Sequence, residues 1–170
     1  MRRMAAIALA VAMLVLSGCG PSGPAKSPGG ARAVATDQGL EVRASVATSV
    51  FAPDAVPAVQ VEVRNAGTKP VRYIRYDGCD KGFHVWMEQS GARTGHFVEQ
   101  SASPPRGCTD AIQFSELQPG QVVSATYVYS ALPNVKPPGI GDQQIKVSFN
   151  RATGVDALQP LVVPLNVTVR

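Results

Sequence analysis

Few residues of this chain have side chains that could do chemistry: three cysteines, two histidines and scattered carboxylates. Cys19, Cys79 and Cys108 are far apart in the sequence, and none of them belongs to a Cys-x-x-Cys pair, which would indicate zinc binding or a redox motif. Each cysteine is therefore interpreted from its neighbours and from the compartment in which the chain folds.

Cys19 ends a segment with the layout of a secretory signal. Arg2 and Arg3 precede an uninterrupted apolar run from Met4 to Leu16, and Ser17-Gly18-Cys19 follows. The run is shorter than the roughly 20 apolar residues that a transmembrane helix needs. The pattern resembles that of bacterial lipoproteins, whose signal peptide is removed before the cysteine. The resemblance implies a signal peptide at 1–18, lipidation of Cys19, and a domain on the extracytoplasmic side of the cell membrane or outer membrane. An ordinary secretory signal with an incidental cysteine is the alternative.

Export decides how the other two cysteines are interpreted. Cys79 and Cys108 remain as an even pair in an oxidising compartment, which favours one disulfide. The bridge would close a loop of about 29 residues, worth roughly 3.6 kcal/mol in the chain-entropy model. Two free thiols or a thiolate metal site are the alternatives, and zinc usually needs four ligands.

The histidines and carboxylates form no recognisable catalytic or metal motif. His84 and His96 have Asp77 and Asp80 nearby in sequence. However, a hairpin turn centred on 91–95 would pair His84 near Ala102 and His96 near Ser90, several residues apart. The spacing of a calcium loop, the nucleophile elbow Gly-x-Ser-x-Gly and a phosphate-binding glycine loop are all missing from the sequence. The sequence therefore predicts no catalytic residue, no metal site and no cofactor. A pair of carboxylates that the fold brings together is the alternative that the sequence leaves open.

Composition divides the chain into a tether and one domain. Residues 20–38 are rich in Gly, Pro and Ser and lack apolar periodicity, which indicates a flexible linker after Cys19. Residues 39–170 are enough for one domain with a hydrophobic core. The formal net charge is +4, and removal of the signal with Arg2 and Arg3 would lower it to +2. The basic residues are spread along the chain, so we expect no nucleic-acid partner.

Within the domain, apolar and polar residues alternate with a period of two, for example from Leu40 to Val46. This pattern predicts half-buried strands, and no amphipathic helix of useful length is present. Strands without crossover helices favour an all-β fold, an antiparallel β-sandwich of about 7–9 strands. We predict strands at about 40–46, 59–64, 71–76, 83–89, 96–100, 122–130, 144–150 and 161–169.

Two resemblances make this fold more specific. The order of strands resembles the immunoglobulin-like sandwiches common in bacterial surface lipoproteins. In addition, 61–67 (Val-Glu-Val-Arg-Asn-Ala-Gly) and 117–120 (Leu-Gln-Pro-Gly) look like turns of the bacterial intracellular proteinase inhibitor family. The second resemblance covers about residues 57–130 and implies the fold only, because this chain is predicted to be exported and disulfide-bonded.

Two residues are candidates for binding. Trp86 shares one face of its predicted strand with His84 and Glu88, and it is either a core anchor or part of an exposed aromatic patch for a protein or glycan. Arg106 is the only basic residue of the proline-containing loop 101–110, which the disulfide at Cys108 would hold at one end. The sequence thus predicts a non-catalytic binding or structural module on the cell envelope. The alternatives are a protease inhibitor acting through an exposed loop and an enzyme.

Overall fold

The computed structural model describes residues 29–55, 57–76, 81–100, 112–130, 138–153 and 157–170. These residues contain no helix, and therefore none that is long and apolar enough to cross a membrane. They form eleven strands. The strands are β1 (Ala31–Asp37), β2 (Leu40–Val46), β3 (Val50–Phe51), β4 (Ala58–Asn65), β5 (Val71–Tyr76), β6 (Phe83–Gln89), β7 (Ala92–Glu99), β8 (Ile112–Leu117), β9 (Val122–Ser130), β10 (Gly141–Ala152) and β11 (Leu158–Val169).

The alternating pattern of the sequence creates these strands, because each buries every second side chain. In β2 the burial alternates from Leu40 to Val46, with the apolar residues inside and Glu41, Arg43 and Ser45 more exposed. Strands β5, β6 and β9 begin and end at the predicted residues, whereas β7, β10 and β11 are longer than predicted. Period-two patterning therefore located the strands whose two faces differ in polarity.

The strands join into one curled sheet with the order β1-β2-β4-β9-β7-β6-β10-β11-β3, while β5 pairs with both β10 and β8. Every pairing is antiparallel except the short contact of β3 with β11. The curl brings β1 and β2 against β11, so that apolar side chains from both ends of the sheet meet in one core. The fully buried members of this core include Val42, Val59, Val63, Phe83, Val85, Met87, Ile145, Val147, Phe149 and Val163. The predicted all-β, antiparallel architecture is confirmed, and the described residues form eleven strands in one curled sheet where seven to nine strands were predicted.

The boundary between linker and domain differs from the prediction. Residues 31–37 lie in the predicted linker, yet they form β1 and pair with β2 from Ala31↔Val46 to Asp37↔Leu40. Small alanines on one face of β1 pack against the core, and such residues leave a weak hydrophobic pattern in the sequence. At the end of the strand, Asp37 Oδ2 accepts a hydrogen bond from Arg151 Nη2 at 2.6 Å. This part of the supposed linker is therefore structured.

The hairpin of β6 and β7 turns earlier than the sequence indicated. The two turn residues are Ser90 and Gly91, with φ of 50° and 81°, which are the values that a two-residue type I′ turn needs. A β-bulge follows, because Glu88 pairs with Arg93 whereas Met87 pairs with Gly95. The predicted positions of His84 opposite Ala102 and His96 opposite Ser90 were wrong, since His96 pairs with Trp86.

A candidate binding face around Trp86

Of the five residues that the sequence proposed for lipidation, a disulfide or binding, Trp86 is the one that lies in the described part of the chain. Cys19, Cys79, Cys108 and Arg106 lie outside the described residues, as do the signal peptide and loop 101–110. Lipidation, the disulfide and the loop site therefore stay predictions.

Trp86 lies on the outer face of β6 and is half-buried, so its interpretation as a core anchor was wrong. The core positions of this strand are Phe83, Val85 and Met87, which alternate with the outward residues His84, Trp86 and Glu88. The period of two predicted this division of the faces correctly. We call the outward side chains of β6, β7 and β10 around the indole the Trp86 face: His84, Trp86, Glu88, Arg93, His96 and Lys146.

Glu88 connects the indole to the neighbouring strand. Trp86 Nε1 donates a hydrogen bond to Glu88 Oε1 at 2.5 Å, and Lys146 Nζ of β10 lies 2.5 Å from Glu88 Oε2. The hydrogen bond from Lys146, followed by the one from Trp86, lowers the pKa of Glu88 below its ordinary value. Glu88 is therefore a carboxylate at neutral pH, and both of its oxygens hold side chains of the face in place.

The ring of Trp86 has a cation and a second ring beside it. The guanidinium carbon of Arg93 lies 5.2 Å from the indole centroid, within the range of a cation–π interaction. The His84 and Trp86 ring centroids are 5.0 Å apart at an interplanar angle of 37°. Arg93 itself is exposed, so a partner that displaced it would lose only the modest attraction of an exposed cation for a ring.

His96 completes the face from β7. Partial burial, and secondarily the charge of Arg93, lower the pKa of His96 below its ordinary value. The imidazole is therefore neutral at pH 7, with one nitrogen that donates and one that accepts. In the described part of the chain, no three His, Cys, Asp or Glu side chains lie close enough together to hold a metal ion.

Sequence reasoning missed Arg93 and Lys146. The alternation along β6 could reveal only residues of the same strand, namely His84 and Glu88. Lys146 faces Trp86 through the pairing of β10 with β6, and Arg93 reaches Glu88 and the indole through the hairpin. These contacts depend on strand order and register, for which the sequence carries no local signal.

Backbone pairing places the neighbours of both cysteines together. The ladder of β5 and β8 ends at the pair Tyr76↔Ile112. Cys79 follows Tyr76 by three residues, and Cys108 precedes Ile112 by four. Segments of that length can bring two Cα atoms to the 4.4–6.8 Å typical of disulfides.

Comparison with known proteins identifies no family. No protein-family model matches the chain, and no curated protein matches it. Among solved structures, a β-glucosidase from Erythrobacter marinus is similar at 14% identity and a TM-score of 0.38, over 77% of this chain and 15% of the glucosidase. The PapD-like domain 7 of human CEP192 is similar at 14% identity and a TM-score of 0.36, over 95% of this chain and 96% of that domain.

Proposed function

We propose that this chain is a lipid-anchored protein of the bacterial cell envelope, and that its domain binds a protein partner without catalysis. The anchor rests on the sequence from Arg2 to Cys19. The observation that supports binding is the Trp86 face, which combines an outward tryptophan with an arginine. These two residue types are enriched among the residues that dominate protein interfaces.

The surroundings of Trp86 favour a protein over a glycan. Val98 of β7 and Val162 of β11 are exposed on the same side of the sheet, at 41% and 39%. Glu88, the carboxylate beside the indole, already binds Trp86 and Lys146. A glycan would need free polar groups around the ring, whereas a protein can cover apolar side chains and leave these internal contacts intact.

The tether supports a partner close to the membrane. Because β1 begins at Ala31, only residues 20–30 of the predicted linker lie between Cys19 and the first strand. About ten residues of Gly-rich chain have a root-mean-square span of about 17 Å. The partner would then be a protein of the same membrane or of the adjoining envelope layer.

The anchor is tested by changing Cys19 to Ser in the full chain. The thioether to lipid cannot form on serine, so the protein should leave the membrane fraction after a salt wash. A variant that stays with the membrane would contradict the lipid anchor.

Binding is tested with a photo-crosslinking amino acid at position 98 of the lipidated protein in cells. We expect one adduct with an identified envelope protein, reduced at least about tenfold by Trp86→Ala, because such anchors contribute about 2 kcal/mol or more. The matched control is Phe114→Ala on β8, since Phe114 is another outward aromatic of the sheet with an arginine over its ring. An adduct unchanged by Trp86→Ala, or one made only with glycan, would contradict the proposal.

A further inference from the structure

Strand β8 lies at an edge of the sheet, because β5 is its one partner among the described residues. The unpaired N–H and C=O groups along such an edge can pair with a strand from another molecule, and natural proteins block them with proline, lysine or a β-bulge. The sequence of β8 is Ile-Gln-Phe-Ser-Glu-Leu, and it pairs with β5 in an unbroken register. None of these three blocking features is therefore present in β8.

The other edges formed by described strands are protected. β3 is two residues long, and the curl of the sheet packs β1 against β11. On β11, the N–H of Thr168 donates to Ser49 O at 2.8 Å, so every second residue before Thr168 directs its backbone to this outer edge. Pro164 and Pro160 lie at two of those positions and have no N–H to offer. Among the described strands, β8 is thus the edge that is suited to pairing.

The outward side chains of β8 add an apolar surface to this edge. Ile112 and Phe114 are exposed at 56% and 45%, and Glu116 follows them on the same face. Phe114 stays exposed although the guanidinium carbon of Arg72 lies 4.7 Å from its ring centroid. A partner strand could therefore gain both backbone hydrogen bonds and contacts with apolar side chains.

Segments of the same chain are poorly suited to this edge. Three segments outside the described residues are long enough to pair with most of β8, namely 20–28, 101–111 and 131–137. Each contains at least two prolines, which lack the N–H of a ladder and interrupt strand pairing. The edge is better suited to a strand from another molecule.

We propose that β8 pairs with β8 of a second copy of this chain, antiparallel and about a two-fold axis at Phe114. Two-fold symmetry places Phe114 opposite its own counterpart and Ile112 opposite the aliphatic part of Glu116. On the other face of the strand, Gln113 lies opposite Ser115, so polar side chains meet polar ones. Glu116 is the one charged residue of β8, and its opposite residue is uncharged. The strand is therefore complementary to itself on both faces.

This pairing would also continue an apolar row from one copy into the other. Ile74 of β5 is buried and is the cross-strand partner of Phe114. Ile74, Phe114 and their two counterparts would thus form a row of four apolar side chains across four strands. The interface is short compared with the roughly 1,600 Å² of a standard complex, so we expect a weak, reversible dimer. Copies confined to one membrane by the proposed anchor would meet at high effective concentration.

The test measures the oligomeric state of the mature chain with Cys19→Ser by analytical ultracentrifugation over a concentration series. We expect a dimer whose dissociation constant rises about tenfold or more in Phe114→Lys, because this change removes an aromatic pair and places two like charges opposite each other. The matched control is Leu158→Lys on β11, at a residue exposed to 50%. It should change the dissociation constant by less than about twofold.

A mixture of two variants tests the register. Phe114→Glu should weaken the dimer as Phe114→Lys does, again through like charges at position 114. Mixing the two variants should give a heterodimer that is about fivefold or more tighter than either homodimer, since opposite charges then face each other. Circular dichroism checks that each variant folds, and association in the mixture also requires folded protein.

Four outcomes would overturn the proposal. They are a monomeric parent protein, a dimer that Phe114→Lys leaves intact, a dimer that Leu158→Lys weakens equally, and two variants that the mixture does not rescue. An aromatic photo-crosslinker at position 114 in cells should give an adduct of two copies, and an adduct with a different protein alone would assign the edge to that partner instead. The β8 edge shares no residue with the Trp86 face, and the ultracentrifugation does not use the lipid anchor. This proposal and the proposed function can therefore fail separately.

Discussion

Trp86 and His96 face each other across β6 and β7 because a β-bulge separates the hairpin turn from this pair. From the turn, Gln89 pairs with Ala92 and Glu88 with Arg93, a register that would place His96 opposite the buried Val85. The bulge at Thr94 shifts the register by one residue, which turns His96 outward and Phe97 into the core. A one-residue shift changes the face of every following side chain.

Deletion of Thr94 should therefore destabilise the domain severely. Without the bulge, Phe97 would point outward and His96 inward. We expect a loss of about 3–5 kcal/mol in chemical denaturation, comparable with removing a buried aromatic side chain. The control Thr94→Ala keeps the bulge and loses the hydrogen bond to Gln143 Oε1, which should cost about 1 kcal/mol. Equal stability of the two variants would show that the bulge does not set the register.

His96 should titrate below the ordinary histidine pKa of 6.5 in an NMR pH series. Because its folded pKa is lowered, the unfolded chain binds the proton more readily, and stability is lost as the pH falls from 6.5 through the folded pKa. Arg93→Gln removes the secondary electrostatic cause and should raise the midpoint. A midpoint above 6.5 in the parent protein would contradict the described burial of the ring.

Glu88→Gln should loosen the Trp86 face and shift the indole fluorescence to longer wavelength, because the ion pair with Lys146 would be lost and the amide has one acceptor oxygen in place of two. The lowered pKa of Glu88 means that its contribution to stability is present above the unfolded pKa. The contribution is lost as the pH falls through the folded pKa. The melting temperatures of parent and variant should thus differ at pH 7 and converge in acid. A constant difference across this range would argue against an ionised Glu88 network.

Asp37→Ala should destabilise the domain even though residue 37 was predicted to lie in a linker. The change leaves the buried Arg151 without its carboxylate, and the partial exposure of Asp37 limits the expected loss to about 1–3 kcal/mol. The comparison variant is Asp54→Ala, an exposed aspartate in a turn, which should be neutral. Similar unfolding curves for both variants would mean that β1 is not tied to the core through Arg151.

The exported protein should contain a Cys79–Cys108 bridge, since the two cysteines are only three and four residues along the sequence from Tyr76 and Ile112, the pair that ends the β5–β8 ladder. Alkylation without reduction, followed by mass spectrometry, should find neither thiol free. Reduction should then lower the melting temperature, because the closed loop restricts the unfolded chain. Two alkylated cysteines in protein isolated from the envelope would contradict the bridge.

The sequence by itself determined the all-β class and the inward and outward faces of β2, β4 and β6, because a strand turns every second side chain to the same side. It also determined that His84, Trp86 and Glu88 share a face. It did not reveal β1, whose small core-facing alanines leave little hydrophobic pattern, or β8, whose exposed Ile112 and Phe114 reverse the usual relation between polarity and burial.

Only the tertiary structure decided which strands are neighbours and in which register. Lys146 reaches Glu88, and Arg151 reaches Asp37, from positions far along the chain. Such contacts depend on the order and register of all the strands. A single bulge changes the pairing of every residue that follows it in the strand. The clusters around Trp86 and Arg151 are therefore products of pairing between distant segments, which local periodicity does not encode.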